Sequence, residues 1–264
     1  MFRIGWMLLF GVAGIFSQVT FADELGDDPI RASVGQIQLQ GDAYLPCTFF
    51  VVGRTLLMTA YHCLLPENEI PSFQEWWISG THAHLEELEI PQDKAWPREG
   101  ELLRAERGRE FRVARANAYH DWVLLRLVGR VFSESPLLRV EPYSGRESEA
   151  NLTLVGFGQR GEDIWTRRTR TSFFASSGRF IGGAGYFRME APEINFGDSG
   201  APILRCEGGE HYQGNLSDCA VVGVLSRLAV MCGAGSGACN RERTGVAWGV
   251  PSNAFIEAVR QELQ

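Results

Sequence analysis

Three short stretches carry residue types that together can perform acyl transfer. In Leu57-Met58-Thr59-Ala60-Tyr61-His62-Cys63 an apolar, strand-like run ends in a small turn that presents an imidazole. In Tyr119-His120-Asp121-Trp122-Val123-Leu124-Leu125-Arg126-Leu127 an aspartate stands at the mouth of a strongly apolar run, where its carboxylate is expected to be partly buried. In Phe196-Gly197-Asp198-Ser199-Gly200-Ala201-Pro202 a serine lies close to glycines on both sides. A serine hydroxyl is a weak nucleophile until a base takes its proton, and imidazole is the base that works near neutral pH. A carboxylate out of water, bonded to an imidazole N–H, fixes the ring's tautomer and stabilises the imidazolium formed during transfer. Glycines allow a turn tight enough to aim successive backbone N–H groups at one point, where a negative oxygen can form.

These segments, in the order His, Asp, Ser, resemble the trypsin-like (chymotrypsin-fold) serine peptidases, whose marks are T-A-x-H-C, D-x-A-L-x-x-L and G-D-S-G. The likeness extends to Leu154-Val155-Gly156-Phe157-Gly158, where that family has a G-W-G strand end. Gly223-Val224-Leu225-Ser226 resembles the strand flanking its substrate pocket, and Gly245-Val246-Ala247 the strand closing it. Asp27-Asp28-Pro29-Ile30-Arg31 and Cys47-Thr48 are similar to the bacterial glutamyl-endopeptidase branch. Carried over motif by motif, the resemblance implies that Ser199 attacks the scissile carbonyl, His62 takes and returns the proton, and Asp121 orients the ring. The amides of Gly197 and Ser199 would form the oxyanion hole. The implied fold is all-β, two six-stranded antiparallel β-barrels spanning roughly residues 23–140 and 141–264, with the cleft between them.

Departures from the family fall on specificity and activation. Cys47-Thr48-Phe49-Phe50-Val51-Val52 replaces the common C-x-G-x-L-I. After Ser226, Arg227 and Leu228 stand where the family has an aromatic residue and a glycine, so the pocket entrance is expected to be narrower. Glu193, six residues before Ser199, occupies the place of an acidic pocket floor and implies a lean toward basic substrate side chains. Leu225 replaces the histidine of glutamyl-specific relatives and argues against a glutamate preference. The chain contains no Ile-Val-Gly-Gly, whose freshly cut terminus would pair with the aspartate preceding the nucleophile, here Asp198. The working terminus is therefore expected at or near Asp23. The competing reading is a catalytically inert, peptidase-like binding module with a closed pocket; an α/β-hydrolase is disfavoured because both the residue order and the serine turn differ.

The elements that must position these groups are legible as short apolar runs bounded by glycine, proline or charge: Thr48 to Val52, Leu56 to Ala60, Trp122 to Val128, Leu152 to Phe157, Ala201 to Leu204, Ala220 to Leu225 and Val246 to Val250. Runs of this length, rich in β-branched and aromatic residues, read as strands of a sandwich or barrel. At the end of the chain, Ser252 is placed to cap a helix whose Phe255, Ile256, Val259 and Leu263 share a face. The polar stretch from Pro91 to Arg115 reads as a long surface connector.

Residues 1–22 combine Arg3, an apolar run from Ile4 to Phe16 and small residues at Thr20 and Ala22, which reads as a secretory signal. That run is shorter than the roughly 20 residues a spanning helix needs. Export makes disulfides the default state of the 6 cysteines. They fall in close sequence pairs, Cys47 with Cys63, Cys206 with Cys219 and Cys232 with Cys239, although six cysteines allow many other connectivities. No C-x-x-C occurs, and neither His62 nor the pair His82 and His84 has ligands at metal-binding spacing, so no metal or other cofactor is expected. With 45% hydrophobic residues the 264-residue chain can bury an ordinary core, and its net charge of −7 argues against nucleic acid as a partner. The expected protein is a secreted or periplasmic monomer acting on proteins or peptides, without stable membrane insertion.

Overall fold

The computed structural model describes residues 33–41, 46–65, 74–78, 82–86, 97–105, 108–132, 137–145, 152–158, 174–177, 179–183, 186–190, 194–206, 219–231 and 242–264. The strands are β1 (Val34–Ile37), β2 (Cys47–Val51), β3 (Leu56–Thr59), β4 (Gln74–Ile78), β5 (His82–Glu86), β6 (Leu102–Ala105), β7 (Arg109–Asn117), β8 (Trp122–Leu127), β9 (Arg139–Val140), β10 (Leu152–Gly156), β11 (Phe174–Ser177), β12 (Arg179–Gly183), β13 (Tyr186–Glu190), β14 (Pro202–Cys206), β15 (Cys219–Met231) and β16 (Glu242–Pro251), followed by helix α1 (Ile256–Glu262). The first sheet has the order β1-β2-β3-β8-β7-β6. It curls until its edges meet: Leu39 bridges Ala105, and the Gln40 amide donates to the Arg104 carbonyl at 2.9 Å. A separate hairpin pairs β4 with β5.

The second sheet runs β11-β10-β14-β15-β16-β13-β12, with β9 beside β15. Its terminal strands, β11 and β12, are separated in the chain by one residue, so the path returns to where it began. Counting β11 and β12 as one bent strand, and setting aside the two-residue parallel partner β9, leaves the six antiparallel strands expected for a barrel. The fold is thus the all-β, chymotrypsin-like arrangement with a C-terminal helix.

Burial explains why β2, β3 and β8 read as nearly unbroken apolar runs. Phe49, Val51, Leu57, Val123 and Leu125 join Leu103, Phe111 and Val113 inside the first sheet. The alternate residues Phe50, Met58 and Leu124 face the other way and pack with Val155, Leu204, Val221 and Val250 of the second sheet and Phe255 before α1. Both faces of these strands are dry, so period-2 alternation of polarity is absent. Each such side chain contributes about 1.5–3 kcal/mol of burial. A third cluster, with Leu152, Leu154, Ile203, Val222 and Ala247, fills the second sheet.

Two sequence expectations change. The region from Pro91 to Arg115 is no mere connector, because β6 and most of β7 lie in it and bury Leu103, Ala105, Phe111 and Val113. Ser252 makes no side-chain cap to α1; it begins a 3-10 turn, and its hydroxyl donates to the Glu141 carbonyl. Of the four residues that share a face there, Phe255, Ile256 and Val259 are buried and Leu263, near the end of the chain, is half exposed. Glu262 fastens α1 to the first sheet, accepting from Arg115 at 3.0 Å and from Arg126 at 2.8 Å. Among the described residues no helix is long and apolar enough to cross a membrane.

Candidate active site

The buried strand β3 ends at Thr59, and the extended backbone of Ala60 leads into a 3-10 turn, Tyr61–Leu64. Within that turn the Cys63 amide donates to Ala60, and Cys63 is bridged to Cys47 on β2. The bridge closes a 16-residue separation, for which chain entropy predicts about 3 kcal/mol. His62 is thereby fixed to the strand that precedes it. Immediately before the neighbouring strand β8, Asp121 has φ +52°, a left-handed conformation that aspartate adopts more readily than most side chains.

The Asp121 carboxylate is buried and well bonded. Its Oδ1 accepts from the His62 backbone amide at 2.9 Å. Its Oδ2 lies 2.8 Å from His62 Nδ1 and also accepts from the Ser226 hydroxyl. An ionised carboxylate can only accept, so Nδ1 carries the proton and Nε2 keeps the lone pair. The arrangement leaves the far nitrogen of the ring available as a base.

The turn carrying Ser199 is held peptide by peptide. The Gly197 carbonyl accepts from Thr48 Oγ1 at 2.7 Å, and the Asp198 amide donates to Asn195 at 3.1 Å. The Asp198 carbonyl accepts from Ala201 at 2.8 Å. The Ser199 carbonyl accepts from the Thr48 amide at 2.8 Å, and the Gly200 amide donates to Leu225 at 2.7 Å. Among the described residues, the amides of Gly197 and Ser199 and the Ser199 hydroxyl have no hydrogen-bond partner. Asp198 is fully buried, its carboxylate accepting from the amides of Gly158 at 2.6 Å and Asn195 at 2.8 Å. Gly200, at φ +82°, lies so close to Thr59 Oγ1 and the Thr48 carbonyl that a Cβ would overlap both.

These contacts bring the three segments to one corner. Gly200 abuts Thr59 and Ala60, immediately before the turn that holds His62. The Ser199 carbonyl lies 3.9 Å from Cys63 Sγ. Leu225 binds the serine turn while its neighbour Ser226 binds Asp121, so β15 clamps both. The Cys47 and Cys63 sulfurs lie within 4.8 Å of a His62 nitrogen, but both are engaged in the disulfide and offer no thiolate to a metal.

Tyr61, beside His62, donates its phenol to the Pro97 carbonyl at 2.8 Å. Burial, and secondarily the Glu101 carboxylate, push its pKa up to about 12.

The other expected site residues divide. Ser226, expected along the pocket, has its hydroxyl on Asp121, a contact that sequence reasoning missed along with the Thr48 link. Arg227 and Leu228 lie in β15 opposite Trp248 and Ala247. Their side chains lie outside the described residues, as do Glu193, Cys232, Cys239, the leader 1–22, Asp23 and the segment 27–31. The second disulfide joins Cys206 and Cys219, which face each other across β14 and β15.

No family model and no curated protein matches the chain. Among solved structures it is similar to the inactive form of the Rv3671c protease at 15% identity and TM-score 0.46, over 88% of this chain and 89% of that one. It is also similar to the active form of the same protease from M. tuberculosis, at 15% identity and TM-score 0.48, over 87% and 80% respectively. For the Ser343Ala mutant of that protein, from M. tuberculosis H37Rv, the values are 14% and 0.47, over 90% and 91%.

Proposed function

We propose that the chain is a secreted serine endopeptidase in which Ser199, His62 and Asp121 form the catalytic triad. The observation that carries the reading is the buried Asp121 carboxylate bonded to His62 Nδ1, in the corner where the Ser199 turn docks. Ser199 Oγ attacks the scissile carbonyl while His62 Nε2 takes its proton. The negative oxygen of the tetrahedral intermediate accepts from the amides of Gly197 and Ser199; one such donor is worth about 3 kcal/mol of transition-state stabilisation. His62 then gives its proton to the departing amine, leaving an acyl-serine. Water, deprotonated by the same nitrogen, releases the acid and restores the hydroxyl.

Glu193 gives this enzyme a modest lean to arginine and lysine side chains, and Arg227 and Leu228 narrow the pocket entrance. The mature chain starts at or near Asp23 after loss of the leader. A fluorophosphonate tests the central claim: the processed wild type is expected to react covalently, and Ser199→Ala to remain unlabelled. Wild-type inertness would favour the binding module instead. Arginyl amides cleaved no faster than apolar or glutamyl ones would remove the basic preference, and mass spectrometry of the active secreted protein checks the terminus.

A further inference from the structure

We infer that Thr48 is a positioning residue for the oxyanion turn, its side-chain hydroxyl setting the peptide plane between the two donor amides. The inference rests on the proposed peptidase reading. Thr48 lies on β2, fully buried between apolar neighbours, where an unpaired hydroxyl is costly. Here both capacities are used: Oγ1 donates to the Gly197 carbonyl at 2.7 Å and accepts from the Phe157 amide at 3.0 Å. Its backbone joins in as well, the amide donating to the Ser199 carbonyl at 2.8 Å and the carbonyl accepting from Thr59 Oγ1 at 2.7 Å. One residue of the first sheet therefore grips the serine turn at positions 197 and 199, and through Phe157 reaches the end of β10.

The grip at 197 is the one that only a side chain supplies. The peptide joining Gly197 to Asp198 is fixed at one end by Thr48 Oγ1 and at the other by the bond from the Asp198 amide to Asn195. On either side of this plane are the two amides that have no partner among the described residues, those of Gly197 and Ser199. Gly197 has φ +92°, where glycine rotates with little steric resistance, so its own backbone does not hold the plane. Removing the hydroxyl leaves the Gly197 carbonyl and the Phe157 amide without this partner and leaves the plane held at its Asp198 end alone, so that it can tilt. Both donors then lose their common aim. Since they act chiefly on charge that develops in the transition state, the loss is expected in kcat more than in KM.

Three forms of the full, processed protein test this: wild type, Thr48→Val, which keeps shape but lacks the hydroxyl, and Thr48→Ser, which keeps the hydroxyl. Expected for Thr48→Val are a kcat lower by about tenfold or more, KM within about twofold, and slower fluorophosphonate labelling. Thr48→Ser is expected to retain most of the turnover, and thermal melting shows whether Thr48→Val is folded. An active wild type with Thr48→Val unchanged in kcat overturns the role of Thr48 and leaves the peptidase reading standing. The same holds if Thr48→Ser falls as far as Thr48→Val, or if Thr48→Val is unfolded and Thr48→Ser also loses turnover. A wild type that neither labels nor cleaves overturns both.

Discussion

Asp121 and Asp198 are both buried aspartates bound into the same corner, yet the hydrogen bonds described above for them differ in kind. Asp121 meets a group that can change charge, the His62 imidazole, with the Ser226 hydroxyl alongside. Asp198 meets main-chain amides of Gly158 and Asn195, which never do. A carboxylate facing an ionisable partner can respond during a reaction cycle; one facing fixed dipoles holds a loop in place. In this reading the first serves turnover and the second serves the shape of the serine turn.

Asp121→Asn is expected to produce the largest effect of those that separate the two sites. The side-chain amide favours the wrong imidazole tautomer, and kcat should fall roughly 10⁴-fold with little change in melting temperature. A fall below about tenfold would break the distinction, since a merely structural aspartate could account for it. Asp198→Asn should act the other way round. Its NH2 group would face an amide donor, so urea unfolding is expected to show a loss of about 1–3 kcal/mol. Labelling of Ser199 should drop with that loss, and unchanged stability would show that the carboxylate does not hold the turn. Ser226→Ala sharpens the comparison further: removing one bond to Asp121 should lower kcat by no more than about tenfold while KM stays put.

Tyr61 supplies a third buried acid for contrast, one that stays protonated. Its folded pKa of about 12 exceeds the ordinary 10.0, so the folded chain keeps a proton that the unfolded chain gives up. This contribution to stability is complete below pH 10, declines as the pH rises and is lost through about 12. The smallest expected effect is therefore a shallower alkaline fall in melting temperature for Tyr61→Phe. Identical alkaline profiles for the variant and the wild type would refute it.

The residues that read most clearly in the sequence are those with local signals. His62 follows an apolar run into a turn, Asp121 opens another, and Ser199 is bracketed by Gly197 and Gly200, the second of which has no room for a Cβ. The residues that support them were illegible because their contacts span the chain: Ser226 reaches Asp121 across 105 positions, and Thr48 reaches Gly197 across 149. Strands β6 and β7 were hidden for a different reason. In β6 exposed and buried residues alternate over only four positions, and β7 buries Phe111 and Val113 amid half-exposed charge, so average polarity conceals the inward face.

The Glu262 contacts give the order of synthesis a physical meaning. Arg126 finds this carboxylate, and the Glu262 carbonyl, 136 residues further along the chain. As the polypeptide emerges from the ribosome, the first barrel can close its own hydrogen-bond ladder long before α1 exists. Until then Arg115 and Arg126 have only the partners that the first half itself supplies, Glu99 at 3.2 Å and Thr55 Oγ1 at 3.0 Å, and the late arrival of the helix completes the outer surface of the half made first.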